Sequence, residues 1–146
     1  MTARRPVVTS LTALAALAVV AGCQRPTPAV TLVSSGQRVR TESSSFCRDG
    51  QTGCVRHPDR REVLRVREGD LVGIDVDKAL SDSGWDYADA DLKQRSSVQD
   101  KHYLTFKATF INRPTPGVID LVVRSRSRVA EDAPVTGVWN FQLIQR

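Results

Sequence analysis

At 146 residues, 40% hydrophobic and 25% charged, the chain has the size and balance of one folded domain and not of a disordered tail. Its 21 basic and 16 acidic residues give a formal net charge of +5, a mild excess that argues against nucleic acid as a partner. Two histidines and three cysteines leave little material for a four-ligand metal site or a thiol nucleophile.

The first 22 residues read as an export signal. Arg4 and Arg5 give a positive start, Val7 to Ala21 is largely apolar, and small residues follow. The apolar run is shorter than the about 20 residues that span a bilayer comfortably. Val20-Ala21-Gly22-Cys23 closes it as the lipidation box of a bacterial lipoprotein does. Cleavage is therefore expected after Gly22, with acyl chains on Cys23. Two chains anchor stably where one is marginal. The expected address is the outer face of the cell membrane. Nothing beyond the arginine pair follows the twin-arginine pattern, which favours the general secretory route.

Residues 23–28 form the lipidated cysteine and its linker, and Pro26 and Pro28 make that linker extended and semi-rigid. Residues 29–146 form the domain. Val30 and Leu32 alternate with Thr31 and Val33, Ser35-Gly36 gives a turn, and a weaker run follows through Val39 and Thr41. With Cys23 given to lipid, Cys47 and Cys54 remain as an even pair. Outside the cytoplasm a disulfide is the default for such a pair. The Asp49-Gly50 turn between them lets the chain close on itself. Zinc is the alternative, but only His57 lies nearby.

Leu64 and Val66 alternate with Arg65 and Arg67, and Val72, Ile74 and Val76 alternate with Gly73, Asp75 and Asp77. A three-residue loop at Glu68-Gly69-Asp70 predicts a hairpin with Val66 opposite Val72 and Leu64 opposite Ile74. Its outer face would then set Arg61 and Arg65 against Asp75 and Asp77. Asp82 to Asp100 is polar with little periodicity; Ala88 to Leu92 has the composition of a short helix, too weak to assign one. Strand patterns resume over His102 to Phe110 and from Ile119 to Val123. A last strand holds Trp139, Phe141 and Leu143 on one face.

About seven alternating strands without a firm helix predict an all-β domain. One buried face per strand implies two packed sheets, an immunoglobulin-like β-sandwich, with a small β-barrel as the alternative.

Candidate sites are few. Asp82, Asp86, Asp89 and Asp91 suggest a calcium loop, but calcium takes about six to eight oxygens and this spacing fits no EF-hand. Lys93 and Arg95 also neutralise the cluster, so a solvated loop is expected and no metal or cofactor. Arg124, Arg126 and Arg128 alternate and would form a basic stripe if the strand continues, facing anionic headgroups or wall polymers. Trp85 and Tyr87 would be aromatic anchors if their loop is exposed, although a Trp in a small domain more often fills the core. His57 and His102 stand alone, and no nucleophile-elbow or Ser-x-x-Lys motif occurs.

The lipid box with its Pro linker, the opening Val30-Thr31-Leu32 strand and the close Cys47 and Cys54 pair occur together here. So do Leu64-Arg65-Val66, Val72-Gly73-Ile74, a mid-chain Trp85 and the closing Gly137-Val138-Trp139-Asn140-Phe141-Gln142-Leu143. This set resembles the uncharacterised actinobacterial envelope lipoproteins grouped as domain of unknown function 2771. The resemblance covers residues 29–146 in pattern and implies a membrane-anchored β-domain without assigning an activity. The expected function is non-enzymatic: an accessory or binding lipoprotein that engages an envelope protein or an anionic envelope polymer through Trp85, Tyr87 and the arginine stripe. The rival readings are a hydrolase or transferase of envelope glycans or lipids, and a carrier of lipid between the sheets.

Overall fold

The structure is a computed structural model that describes residues 26–47, 54–90 and 94–146. Cys23 and the lipid box lie outside the described residues, as do Asp91 and the interior of the disulfide loop. The strands are β1 (Ala29–Ser34), β2 (Gln37–Glu42), β3 (Ser45–Phe46), β4 (Val55–Arg56), β5 (Arg61–Val66) and β6 (Leu71–Val76). After a short helix α1 (Lys78–Ser83) come β7 (Trp85–Asp89), β8 (Gln94–Arg95), β9 (Tyr103–Lys107), β10 (Val118–Arg126) and β11 (Val135–Gln145).

They form two sheets and no closed barrel, which makes the domain a β-sandwich. One sheet has the order β2-β1-β6-β9. The other has the order β4-β3-β11-β10-β7-β8, with β5 also on β11. Strand β3 pairs with Gly137 and Val138 of β11, and β5 continues along Asn140–Gln145 in parallel. The remaining ladders are antiparallel. β7, β10 and β11 run side by side, while β6 and β9 are neighbours in the facing sheet. That is the immunoglobulin arrangement, with the β1–β2 hairpin added at one edge.

The core is made by the inward residue of each alternating pair. Trp139, Phe141 and Leu143 of β11 and Ile119, Leu121 and Val123 of β10 meet Val30, Leu32, Val72 and Ile74 from the other sheet. These side chains are buried, as the alternation requires.

The predicted β5–β6 hairpin does not form. β5 lies in one sheet beside β11, and β6 lies in the other between β1 and β9. The turn at Glu68-Gly69-Asp70 carries the chain across the sandwich instead. Gly69 takes a φ of +81°, a conformation open to glycine. Asp70 fixes the turn by accepting the Arg67 N–H at 2.9 Å and the Ser35 hydroxyl at 3.0 Å. Leu64, Val66, Val72, Ile74 and Val76 are nevertheless buried. Alternation decides which face turns inward but not which strand lies alongside. Two apolar rows facing each other across a core satisfy it as well as two rows on one face.

The predicted charge pairs change with the neighbours. Arg61 meets Asp120 at 3.3 Å, and Asp77 meets Arg40 at 3.3 Å and accepts the Ala29 N–H at 2.7 Å. The helix falls on Lys78–Ser83, where Leu80 enters the core, while Ala88 and Asp89 belong to β7. The strand total exceeds seven because β3, β4 and β8 are two-residue strands and the β1–β2 hairpin is an addition. Cys47 and Cys54 are joined in a disulfide beside β3 and β4.

Candidate functional site

Strand β7 positions most of the residues that the sequence singles out. Alternation sends Trp85 and Tyr87 inward and Asp86 outward. Trp85 is 0% exposed, and its indole N–H donates to the Lys101 carbonyl at 2.6 Å. It fills the core and presents no surface to a partner, which corrects its assignment as an exposed anchor. Burial suits a Trp whose one polar atom is satisfied by backbone.

Asp86 stands opposite Arg124 in the β7–β10 register. Its Oδ1 accepts from Arg124 Nε at 2.7 Å, and its Oδ2 accepts from Arg126 Nε at 2.7 Å and from Arg126 Nη2. Arg126 Nη1 donates to the Ala133 carbonyl at 2.9 Å. Asp86 is 0% and Arg126 5% exposed. The expected basic stripe is therefore not an open surface. A bulge between Ser125 and Arg126 and the following loop fold Arg126 under Ala133, and two arginines share one carboxylate. Arg128 alone of the three is exposed at the surface, and it meets Asp132 at 2.9 Å.

The aspartates do not converge either. Asp82 pairs with Lys78 at 2.6 Å, Asp86 with the two arginines, and Asp89 with Arg113 at 2.6 Å. Among the described residues, no three His, Cys, Asp or Glu side chains are placed to share a metal ion. Ser81 lies 3.3 Å from His102 Nδ1, a proximity the sequence did not announce. Ser81 is buried, however, and its hydroxyl donates to the Lys78 carbonyl at 2.9 Å, so its proton is directed away from the imidazole.

What the structure does open is a cleft of about 420 Å³ where the sheets part, between the β7–β8 edge and the β9 edge. Such a volume falls within the roughly 300–1,000 Å³ of small-molecule sites. Ile119 and Leu121 of β10 contribute to its apolar lining. Tyr87 and Phe106 reach across from the two sheets and stack, with ring centroids 5.1 Å apart and planes 25° apart. Burial raises the pKa of the Tyr87 hydroxyl above its ordinary value, because the phenolate would lose solvation. Arg95 and Lys107 also line the cleft, and Arg113 enters its wall from the loop before β10.

Tyr87 is thus a residue that both sequence and structure bring to one place. Phe106 and Arg113 were missed as site residues. Phe106 reads as an ordinary inward strand position. Arg113 sits in a Pro-containing turn, and its partner Asp89 lies on a strand whose pattern was too irregular to recognise. No protein-family model matches the chain, and neither a curated protein nor a solved structure matches it.

Proposed function

We propose that the chain is a non-enzymatic binding module of the cell envelope, tethered through acyl chains on Cys23 and taking its ligand at the open edge of the sandwich. The cleft carries this reading: it gathers an aromatic stack, apolar strand residues and cationic side chains at one place. The lipid box supports the tether and the outer face of the cell membrane. The buried, backbone-committed Ser81 favours binding over hydrolysis at the Ser81–His102 contact.

The test is gentle capture of the tagged protein from native membranes, with mass spectrometry of co-eluting proteins, glycans and lipids. Thr109→Trp serves as the comparison, because Thr109 is an exposed residue of the cleft lining and a Trp there fills it. A stoichiometric companion lost on that substitution supports the reading. A companion retained equally by both forms refutes the cleft as the binding place. Cys23→Ser should abolish labelling by a palmitate analogue; undiminished labelling would remove the tether.

A further inference from the structure

We infer that the cleft takes a small amphipathic anion, a carboxylate on a single short apolar chain; this deepens the binding reading above and rests on it. The first argument is the state of Arg113. Its side chain is only 4% exposed. Its Nε donates to the Thr109 carbonyl at 2.6 Å and its Nη2 meets Asp89 at 2.6 Å. Its Nη1 is enclosed in the protein and has no hydrogen-bond acceptor among the described residues. Orphaned buried donors are uncommon and costly in folded proteins. A carboxylate is also a stronger acceptor for a guanidinium N–H than a neutral group is.

The second argument is charge. Arg95, Lys107 and Arg113 line the cleft against Asp89 as its acidic member. Asp89 is engaged by Arg113, and Arg95 by Glu131 at 3.1 Å. Lys107 has no ion-pair partner among the described residues and lies exposed at the β9 edge. An arriving anion is thus attracted at the rim by Lys107 and faces the Arg113 guanidinium in the wall.

The third argument is shape. Tyr87, Phe106, Ile119 and Leu121 supply the apolar part of the lining, against which a short hydrocarbon chain can pack. A volume of about 420 Å³ admits one short chain and is too small for the two chains of a membrane phospholipid.

The probe is octanoate, with octanamide as its uncharged counterpart. The full chain is placed in phosphatidylcholine nanodiscs with ¹³C-labelled tyrosine, and the Tyr87 ring signal is followed by NMR. The chain has two tyrosines, so Tyr103→Phe assigns it. Octanoate should shift the Tyr87 signal saturably. Octanamide should bind at least about tenfold more weakly, the factor expected for losing a charge-assisted hydrogen bond. Lys107→Gln, at an exposed position, should weaken octanoate several-fold, by about the worth of a surface charge pair. Thr109→Trp should abolish the response. No saturable shift with octanoate, equal affinity for octanamide, or a response that survives Thr109→Trp would overturn the inference. If octanoate fails while membrane capture still depends on an open cleft, the ligand class is wrong and the binding reading stands. If filling the cleft changes neither, both fall.

Discussion

Replacing Asp86 by Asn tests whether the Arg124–Asp86–Arg126 cluster is a fixed part of the fold. Asn keeps the size and removes the charge. Asp86 is 0% exposed, and the Arg126 side chain 6%, so the variant leaves at least one cation enclosed without its counter-charge. Breaking one partner out of a buried pair typically costs about 3–5 kcal/mol. Arg124 is 24% exposed and can turn toward water, which places the expected loss near the lower end, about 3 kcal/mol. A domain of this size is stable by only about 5–15 kcal/mol, so the loss is a large share of the total. With a urea slope of about 2 kcal/mol per molar, the unfolding midpoint should fall by about 1.5 M. Asp82→Asn is the control: its pair with Lys78 is well exposed, and such pairs contribute about 0.5 kcal/mol or less. A midpoint for Asp86→Asn that matches the Asp82→Asn control would refute the reasoning. Adding Arg126→Met to Asp86→Asn should recover part of the loss, because it removes the stranded charge.

Replacing both Cys47 and Cys54 by Ser should cost about 2.5 kcal/mol by the loop-entropy relation for so short a loop, read as a lower thermal midpoint under non-reducing conditions; an unchanged midpoint would show that the crosslink does not constrain the unfolded chain. Gly84→Ala should cost about 1–3 kcal/mol, because Gly84 has a φ of +90° and an added Cβ would lie 2.9 Å from Val129 Cα; denaturation equal to that of the parent would contradict this. Tyr87 should titrate above the ordinary tyrosine value of 10.0, seen as the high-pH absorbance change that Tyr87→Phe removes; a component at or below the ordinary value would oppose its burial. Asp70 has a carboxyl held below its ordinary 3.8, first by the Arg67 N–H and then by the Ser35 hydroxyl. A lowered folded value means that its stabilisation is full above 3.8 and fades as pH falls through the folded value. Asp70→Asn should flatten that acid limb of the stability curve, and an unchanged limb would rule the turn out as its source.

The sandwich was legible because alternation is a local property of the chain. Ile119, Leu121 and Val123, then Trp139, Phe141 and Leu143, announce their inward faces by spacing alone, and the structure buries them. Neighbour choice is not local, and there the reading failed. The apolar rows of β5 and β6 fit one hairpin or two facing sheets equally well, and the parallel ladder of β5 on β11 is what separates them. The same limit explains the arginines. Alternation put Arg124 and Arg126 on one face, but only the register of β7 against β10 shows that Asp86 waits there. Strand β7 itself was hidden because its sequence, Trp-Asp-Tyr-Ala-Asp, carries an aspartate on each face, Asp86 outward and Asp89 on the side of Trp85 and Tyr87, and aspartate has poor β-propensity. Each of them is held by an arginine from elsewhere in the chain, Asp86 by Arg124 and Arg126 and Asp89 by Arg113.

That strand also explains why the sandwich opens where it does. On one side β7 has the nine-residue β10 as its neighbour, which closes the core over Trp85. On the other side its strand neighbour is the two-residue β8, followed by a single bridge between Trp85 and Gln99, and the facing sheet ends at the five-residue β9. Two short edges cannot cover the ends of the inward side chains, so Tyr87 and Phe106 remain partly open while Trp85, two positions earlier, is sealed. Full closure would need a longer β8 to continue the sheet. The chain instead places Arg113 in the wall, with one donor paired to Asp89 and another without an acceptor among the described residues. An edge left open for want of strand would be lined by whatever residues fall there. An open edge that buries a guanidinium beside an aromatic stack carries a specific chemistry, and the proposed binding reading rests on that chemistry and not on the opening alone.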